Sequence, residues 1–227
     1  MEFKGIRGIT FDAGGTLIVP HPGVGAIYAE IASRHGIKAN PVELESRFGS
    51  AFKRLRPKSS VTVSEATERQ FWTGLTREVF SGIADSVAFD GMFPELWTAF
   101  AEPGRWRAID GSMETLSRIR ERGFRLAVLS NFDSRLHSVL KGLGFSALLD
   151  GVFISAEVGI AKPETGIFEH AARALGMGPG QMLHVGDNPV ADGAGGIEAG
   201  WSVALVGGQF PGAVTINRLA DLPALLG

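Results

Sequence analysis

A doubly wound α/β sheet with a helical unit inserted after its first strand is the fold this chain predicts. Three observations predict it. Apolar runs alternate with helix-period segments from about residue 105 onward. One more apolar run, residues 8–12, stands alone near the start. Between the two lies a stretch with helical stripes and no strand-like run.

Taken in order, residues 8–12 form the first strand. Residues 126–130, 151–155, 182–186 and 203–206 are short apolar runs suited to strands buried on both faces. Helical patterns at 113–121, 134–143, 164–175 and 191–199 separate them. Gly123, Gly144, Gly176 and Gly200 stand where these helices should stop. Five strands in a βαβα rhythm describe an open parallel sheet. In the insert, Val24, Ile27, Tyr28, Ile31 and Ala32 recur at helical spacing. So do Leu44, Phe48, Phe52 and Leu55, and then Phe71, Trp72, Leu75, Val79 and Phe80. Asn40-Pro41-Val42-Glu43 is a helix-start signature, and residues 94–101 suggest a further helix. The aromatic stripes read as a small helical core. The domain expectation is an α/β core over 1–19 and 105–227 and a helical cap over 20–104.

Composition narrows the chemistry. The chain has 227 residues, 44% hydrophobic and 20% charged, which suits a globular protein with a sizeable core. A net charge of −2 supplies no basic field for nucleic acid or an anionic membrane. There is no cysteine, so thiol catalysis and thiolate metal sites are excluded. No apolar stretch approaches the roughly 20 residues of a membrane span. The first eight residues are polar and do not resemble a signal peptide. The expectation is a soluble, cytoplasmic protein.

In an open parallel sheet, ligands bind beyond the carboxyl ends of the strands. The residues there are Asp12, Ser130-Asn131 and Gly186-Asp187-Asn188, with Lys162-Pro163 opening a helix before the fourth strand. Phe11-Asp12-x-x-Gly15-Thr16, Leu129-Ser130-Asn131, Ala161-Lys162-Pro163 and Val185-Gly186-Asp187-Asn188…Asp192 resemble the four motifs of the haloacid dehalogenase superfamily of hydrolases. The match spans nearly the whole chain, and the insert lies where that superfamily carries its helical cap. Residues 127–136 together with 184–188 narrow the resemblance to one branch.

The resemblance implies roles. Asp12 would be the nucleophile, forming an aspartyl-phosphate. Mg²⁺ would be held by Asp12, Asp187 and the main-chain carbonyl of Gly14. Ser130 and Asn131 would contact the substrate phosphate, and Lys162 would neutralise both nucleophile and transferring group. Asp192 would orient Lys162 or a metal-bound water from behind. The substrate would be a small phosphorylated metabolite. Plainer uses stand beside these: Asp12, Asp187 and Asp192 as caps of turns or helices, Ser130-Asn131 as a loop start, Lys162 as a solvated lysine, and His184 as a buried, hydrogen-bonded histidine.

Gly14 departs from the pattern. Phosphatases of the superfamily place a second Asp there to protonate the leaving group and then activate water. That help is worth about 10²–10⁴ in rate, or roughly 3–5 kcal/mol of barrier. Weak monoester hydrolysis, a good leaving group, or a donor from elsewhere such as His21 are the consequences to weigh. Two further readings are a Mg²⁺–phosphate binding protein without turnover and a 2-haloacid dehalogenase. The dehalogenating branch lacks the second Asp but normally also lacks the metal-binding Gly-Asp, and Asp187 is present here. Phosphonate hydrolases need a cap lysine, for which Lys53 and Lys58 are the candidates.

Overall fold

A computed structural model of the protein describes residues 2–55 and 63–227. The chain runs β1 (Gly8–Phe11), β2 (Ile18–Pro20), α1 (Val24–Arg34), α2 (Pro41–Leu55), α3 (Glu65–Val79), α4 (Ser86–Ala99) and β3 (Trp106–Ala108). It continues through α5 (Ser112–Glu121), β4 (Arg125–Ser130), α6 (Arg135–Gly142), β5 (Gly151–Ile154), α7 (Ser155–Val158) and α8 (Thr165–Leu175). The last elements are β6 (Met182–Gly186), α9 (Gly195–Glu198), β7 (Ser202–Val206) and β8 (Val214–Ile216). Lys58 lies outside the described residues.

Six strands form one sheet in the order β5-β4-β1-β6-β7-β8, and every pairing in it is parallel. The chain builds outward from β1 through β4 to β5, then crosses to β6 on the other side of β1. The strand order therefore reverses at β1, and the carboxyl end of β1 opens into the crevice where such sheets bind ligands. All four residues of β1 are buried, as a central strand covered on both faces requires. Ile9 and Phe11 are fully enclosed, each worth about 1.5–3 kcal/mol of transfer free energy. The four glycines expected to end helices all take the left-handed conformation, with φ between 71° and 88°.

Several elements differ from expectation. β2 and β3 pair antiparallel as a short ribbon, which places the two passages between sheet and insert side by side. His21 N–H extends the ribbon by donating to the Arg105 carbonyl at 2.8 Å. Three-residue strands are too short to show a period, as is β8. The helix expected from residue 94 begins at Ser86, where Asp85 caps it by accepting from Ala88 N–H at 2.9 Å. Its buried Phe89, Met92, Phe93 and Leu96 recur at helical spacing, but exposed Val87 on the opposite face blurs the stripe. The helix expected over 191–199 opens instead as a wide π-type turn, Pro189–Ala194, in which Gly193 N–H reaches the Asn188 carbonyl at 3.2 Å.

The four inserted helices enclose their own apolar cluster, separate from those that line the sheet. Asn40 caps α2 by accepting from Val42 and Glu43 N–H. α1 and α2 meet so closely that a Cβ on Gly25 would lie 2.1 Å from the Pro41 carbonyl and 2.5 Å from Glu45 N. Gly25→Ala should therefore cost about 1–3 kcal/mol through overpacking. Urea unfolding would show a lower midpoint at an unchanged slope, and an unmoved midpoint would mean that the two helices have room to separate.

Candidate active site

Asp12 follows β1 directly, its N–H donating to the Val185 carbonyl at 2.8 Å, so the sheet ladder itself aims the residue. Ser130 closes β4, the neighbouring strand, and donates its hydroxyl to Asp12 Oδ1 at 3.0 Å. Lys162 Nζ donates to the same Oδ1 at 2.7 Å, to Asp192 Oδ1 at 2.6 Å and to the Leu129 carbonyl at 2.8 Å. All three ammonium protons are thus engaged. Among the described residues, both side-chain hydrogen bonds to Asp12 fall on Oδ1.

Lys162 is only 4% exposed, so the solvated-lysine alternative fails. Asn131, expected at the phosphate, spends its amide on the backbone of Lys162. Its Nδ2 donates to the Lys162 carbonyl and its Oδ1 accepts the Lys162 N–H, both at 2.8 Å. In the structure it fixes the lysine that faces Asp12. Its amide orientation follows from that pairing.

Asp187 follows β6 across the crevice. Thr16 donates to its Oδ1 at 3.2 Å. Gly15, at φ 90°, lies under the same carboxylate, and a Cβ there would come within 2.8 Å of Asp187 Oδ2. Only glycine fits that position. Gly14 is different: a Cβ built on it meets nothing within 4 Å.

Asp192 is buried by the π-type turn. Its Oδ1 accepts from Lys162 and His184, and its Oδ2 accepts from Asn188 N–H at 2.9 Å. A Cβ on Gly186 would fall 2.2 Å from its Cγ, which is why the strand ends in glycine. Asp192 is a network residue within the site and more than a helix cap. His184 is fully buried and hydrogen-bonded, as its place in an apolar strand suggested. His21 and Lys53 are exposed.

The charges are unbalanced. Carboxylate oxygens of Asp12, Asp187 and Asp192 lie within 4.8 Å of one another, and Lys162 pairs with Asp12 and Asp192. Burial disfavours the charged form of Lys162, but Asp12 and then Asp192 outweigh it and hold its pKa above the usual lysine value. Burial would raise the Asp192 carboxyl, yet Lys162 and His184 hold it well below the usual range. Asp187 keeps an exposed edge but is pushed up to about 6, first by partial burial of its carboxyl and then by Asp12 and Asp192. A carboxylate strained in this way, in an all-oxygen donor set short of positive charge, suits a hard divalent cation. Asp192 is already saturated by Lys162, His184 and Asn188, so Asp12 and Asp187 are the carboxylates free to face that ion.

A buried lysine thus bridges two aspartates at the switch point of a parallel sheet. The model of haloacid dehalogenase-like hydrolases matches residues 6–200, and the chain belongs to that family. Among curated relatives, the human haloacid dehalogenase-like hydrolase domain-containing protein 3 is 37% identical over 192 residues, covering 82% of this chain and 76% of that protein. The mouse protein of the same name is 33% identical over 91% of this chain and 84% of its own. Among solved structures, a putative HAD-hydrolase of Bacillus subtilis bound to magnesium aligns with a TM-score of 0.75 at 17% identity, covering 96% of this chain and 97% of that one. A dehalogenase aligns at 0.74 and 21% identity, covering 98% of each chain. At such identities the structures report the shared fold.

Thr16, Thr10 and His184 have contacts in the site that sequence reasoning did not assign. Thr16 stood in the first motif and offered a signal. Thr10 offered none and His184 signalled only its burial, because their contact spans 174 residues of chain.

Proposed function

We propose that this protein is a Mg²⁺-dependent phosphohydrolase that works through an aspartyl-phosphate on Asp12 and acts on a small phosphorylated metabolite. The observation that carries this reading is the pinning of Asp12 Oδ1 by Ser130 and Lys162 beside a second carboxylate, Asp187. With Oδ1 held, Oδ2 attacks phosphorus, and the bond to the leaving oxygen breaks as the Asp12–phosphorus bond forms. Water then cleaves the acyl phosphate and frees Asp12. Lys162 offsets the negative charge at the nucleophile throughout. Asp12, Asp187 and the Gly14 carbonyl would hold Mg²⁺, which when bound shields the substrate dianion from the carboxylates. Gly14 has no proton to give, so the reading favours acyl phosphates and other good leaving groups.

The helices of residues 20–104 act in this reading as a cap that selects the substrate. A cavity of about 70 Å³ lies among them, the β2–β3 ribbon and the segment after β4, walled by Tyr28, Trp72, Trp97, Phe132 and Arg135. The Arg135 guanidinium lies 3.5 Å from the Trp97 ring centroid and is already paired with buried Asp133. The pocket thus offers no unmatched charge, which suits a small apolar substituent over a second phosphate. No helix among the described residues is long and apolar enough to cross a membrane, in keeping with a cytoplasmic enzyme.

Acetyl phosphate turnover with Mg²⁺ and with excess chelator tests the reading. Phosphate release should need the metal. Release that survives chelation would overturn the metal role. Tight Mg²⁺ and phosphate binding without turnover would favour a binding protein. Chloride release from 2-chloropropionate without metal would move the chain to the dehalogenases, some of which share its fold.

A further inference from the structure

Behind the site lies a buried chain that the proposed reaction does not use. Thr10 and His184 are register partners on β1 and β6, so their side chains leave the sheet on the same face. Both are fully buried. Thr10 Oγ1 lies 2.8 Å from His184 Nδ1, and His184 Nε2 lies 3.0 Å from Asp192 Oδ1. The Phe168 ring meets the imidazole edge to face, with centroids 5.3 Å apart, and fixes its plane. Asp192 Oδ1 is the atom that also accepts from Lys162 Nζ.

The hydrogen bonds select one tautomer. Burial, and then the Lys162 charge, lower the His184 pKa and keep the ring neutral, with one N–H to place. The nitrogen facing the Asp192 carboxylate must carry it, since a lone pair there would face an anion. Nδ1 is then an acceptor, and the Thr10 hydroxyl must donate to it.

We propose that Thr10 and His184 are positioning residues, which hold Asp192 Oδ1, and through it the Lys162 ammonium, against Asp12. Without the imidazole donor, Oδ1 keeps only Lys162 as a side-chain partner, and the carboxylate is free to turn and draw the ammonium with it. Conversely, the Thr10 hydroxyl sets the charge at the nucleophile through three side chains. The kinetic consequence rests on the phosphohydrolase reading; the arrangement itself does not.

Thr10→Val removes the donor at nearly constant shape, and Thr10→Ser restores it. His184→Leu removes the Asp192 contact, and His184→Gln returns an N–H at similar reach. With acetyl phosphate and Mg²⁺, Thr10→Val and His184→Leu should lower kcat about 10–100-fold. KM should stay within about threefold, and Thr10→Ser and His184→Gln should recover much of the loss. Nitrogen NMR of the wild type should show His184 protonated at Nε2 and bare at Nδ1. Thr10→Val should mix the tautomers and shift the Lys162 ammonium signal. Folded variants that lose only thermal stability, a wild-type ring protonated at Nδ1, or an unmoved Lys162 signal in Thr10→Val would each overturn the proposal. A wild type with no phosphohydrolase turnover would sink the functional reading, and the NMR results would still decide this one.

Discussion

Gly14→Asp should raise hydrolysis of unactivated phosphate monoesters by about 10²–10⁴-fold, the usual worth of a positioned general acid–base. The site has room for it. A Cβ on Gly14 meets no atom within 4 Å, and its φ lies outside the left-handed region, so the substitution strains nothing. Gly15 offers no such room, because its φ is 90° and a Cβ would press on Asp187. The gain should depend on the leaving group. An alkyl phosphate needs its departing oxygen protonated and should gain most; acetyl phosphate leaves as a stable carboxylate and should gain least. Steady-state rates on both substrates, with wild type and variant at saturating Mg²⁺, give the comparison. Equal rates on the alkyl phosphate would remove the missing acid as the explanation for restricted activity.

Asp12→Asn should abolish turnover on every phosphate substrate, by about 10⁴-fold or more, because it removes the carboxylate that would attack in the proposed reaction. Asparagine keeps the shape and an oxygen able to accept from Ser130 and Lys162, so the fold should survive. What disappears, on the proposed reading, is the attacking anion and one of the two carboxylates that would hold the metal. Phosphate release and incorporation of labelled phosphate into the protein should both vanish while thermal unfolding stays cooperative. Turnover that persists in the folded variant would remove Asp12 as nucleophile.

Much of this site was legible along the chain because catalytic residues in a parallel sheet sit at strand ends. Buried parallel strands read as apolar runs, and a carboxylate, a Ser-Asn pair or a Gly-Asp at the end of such a run stands out. Each run at 126–130, 151–155, 182–186 and 203–206 overlaps an observed strand, the third with identical bounds. β2, β3 and β8 were not legible, since three residues hold no period and their pairing partners are distant. The start of α4 was hidden because exposed Val87 blurs the buried stripe of Phe89, Met92, Phe93 and Leu96, and Pro94 draws attention to a later turn.

The sequence alone determined the α/β architecture, the order of the four site segments and the absence of a side chain at Gly14. These follow from local pattern: apolar runs, helix periods and the side chain a position carries or lacks. Only the tertiary structure decided what those residues do to one another. It buried Lys162 between Asp12 and Asp192, gave the Asn131 amide to the lysine backbone, and set Thr10 opposite His184. The reason is physical. A hydrogen bond is decided by fractions of an ångström between atoms more than a hundred residues apart in the chain. That distance is set by strand register and by a widened turn, neither of which any short stretch of sequence encodes.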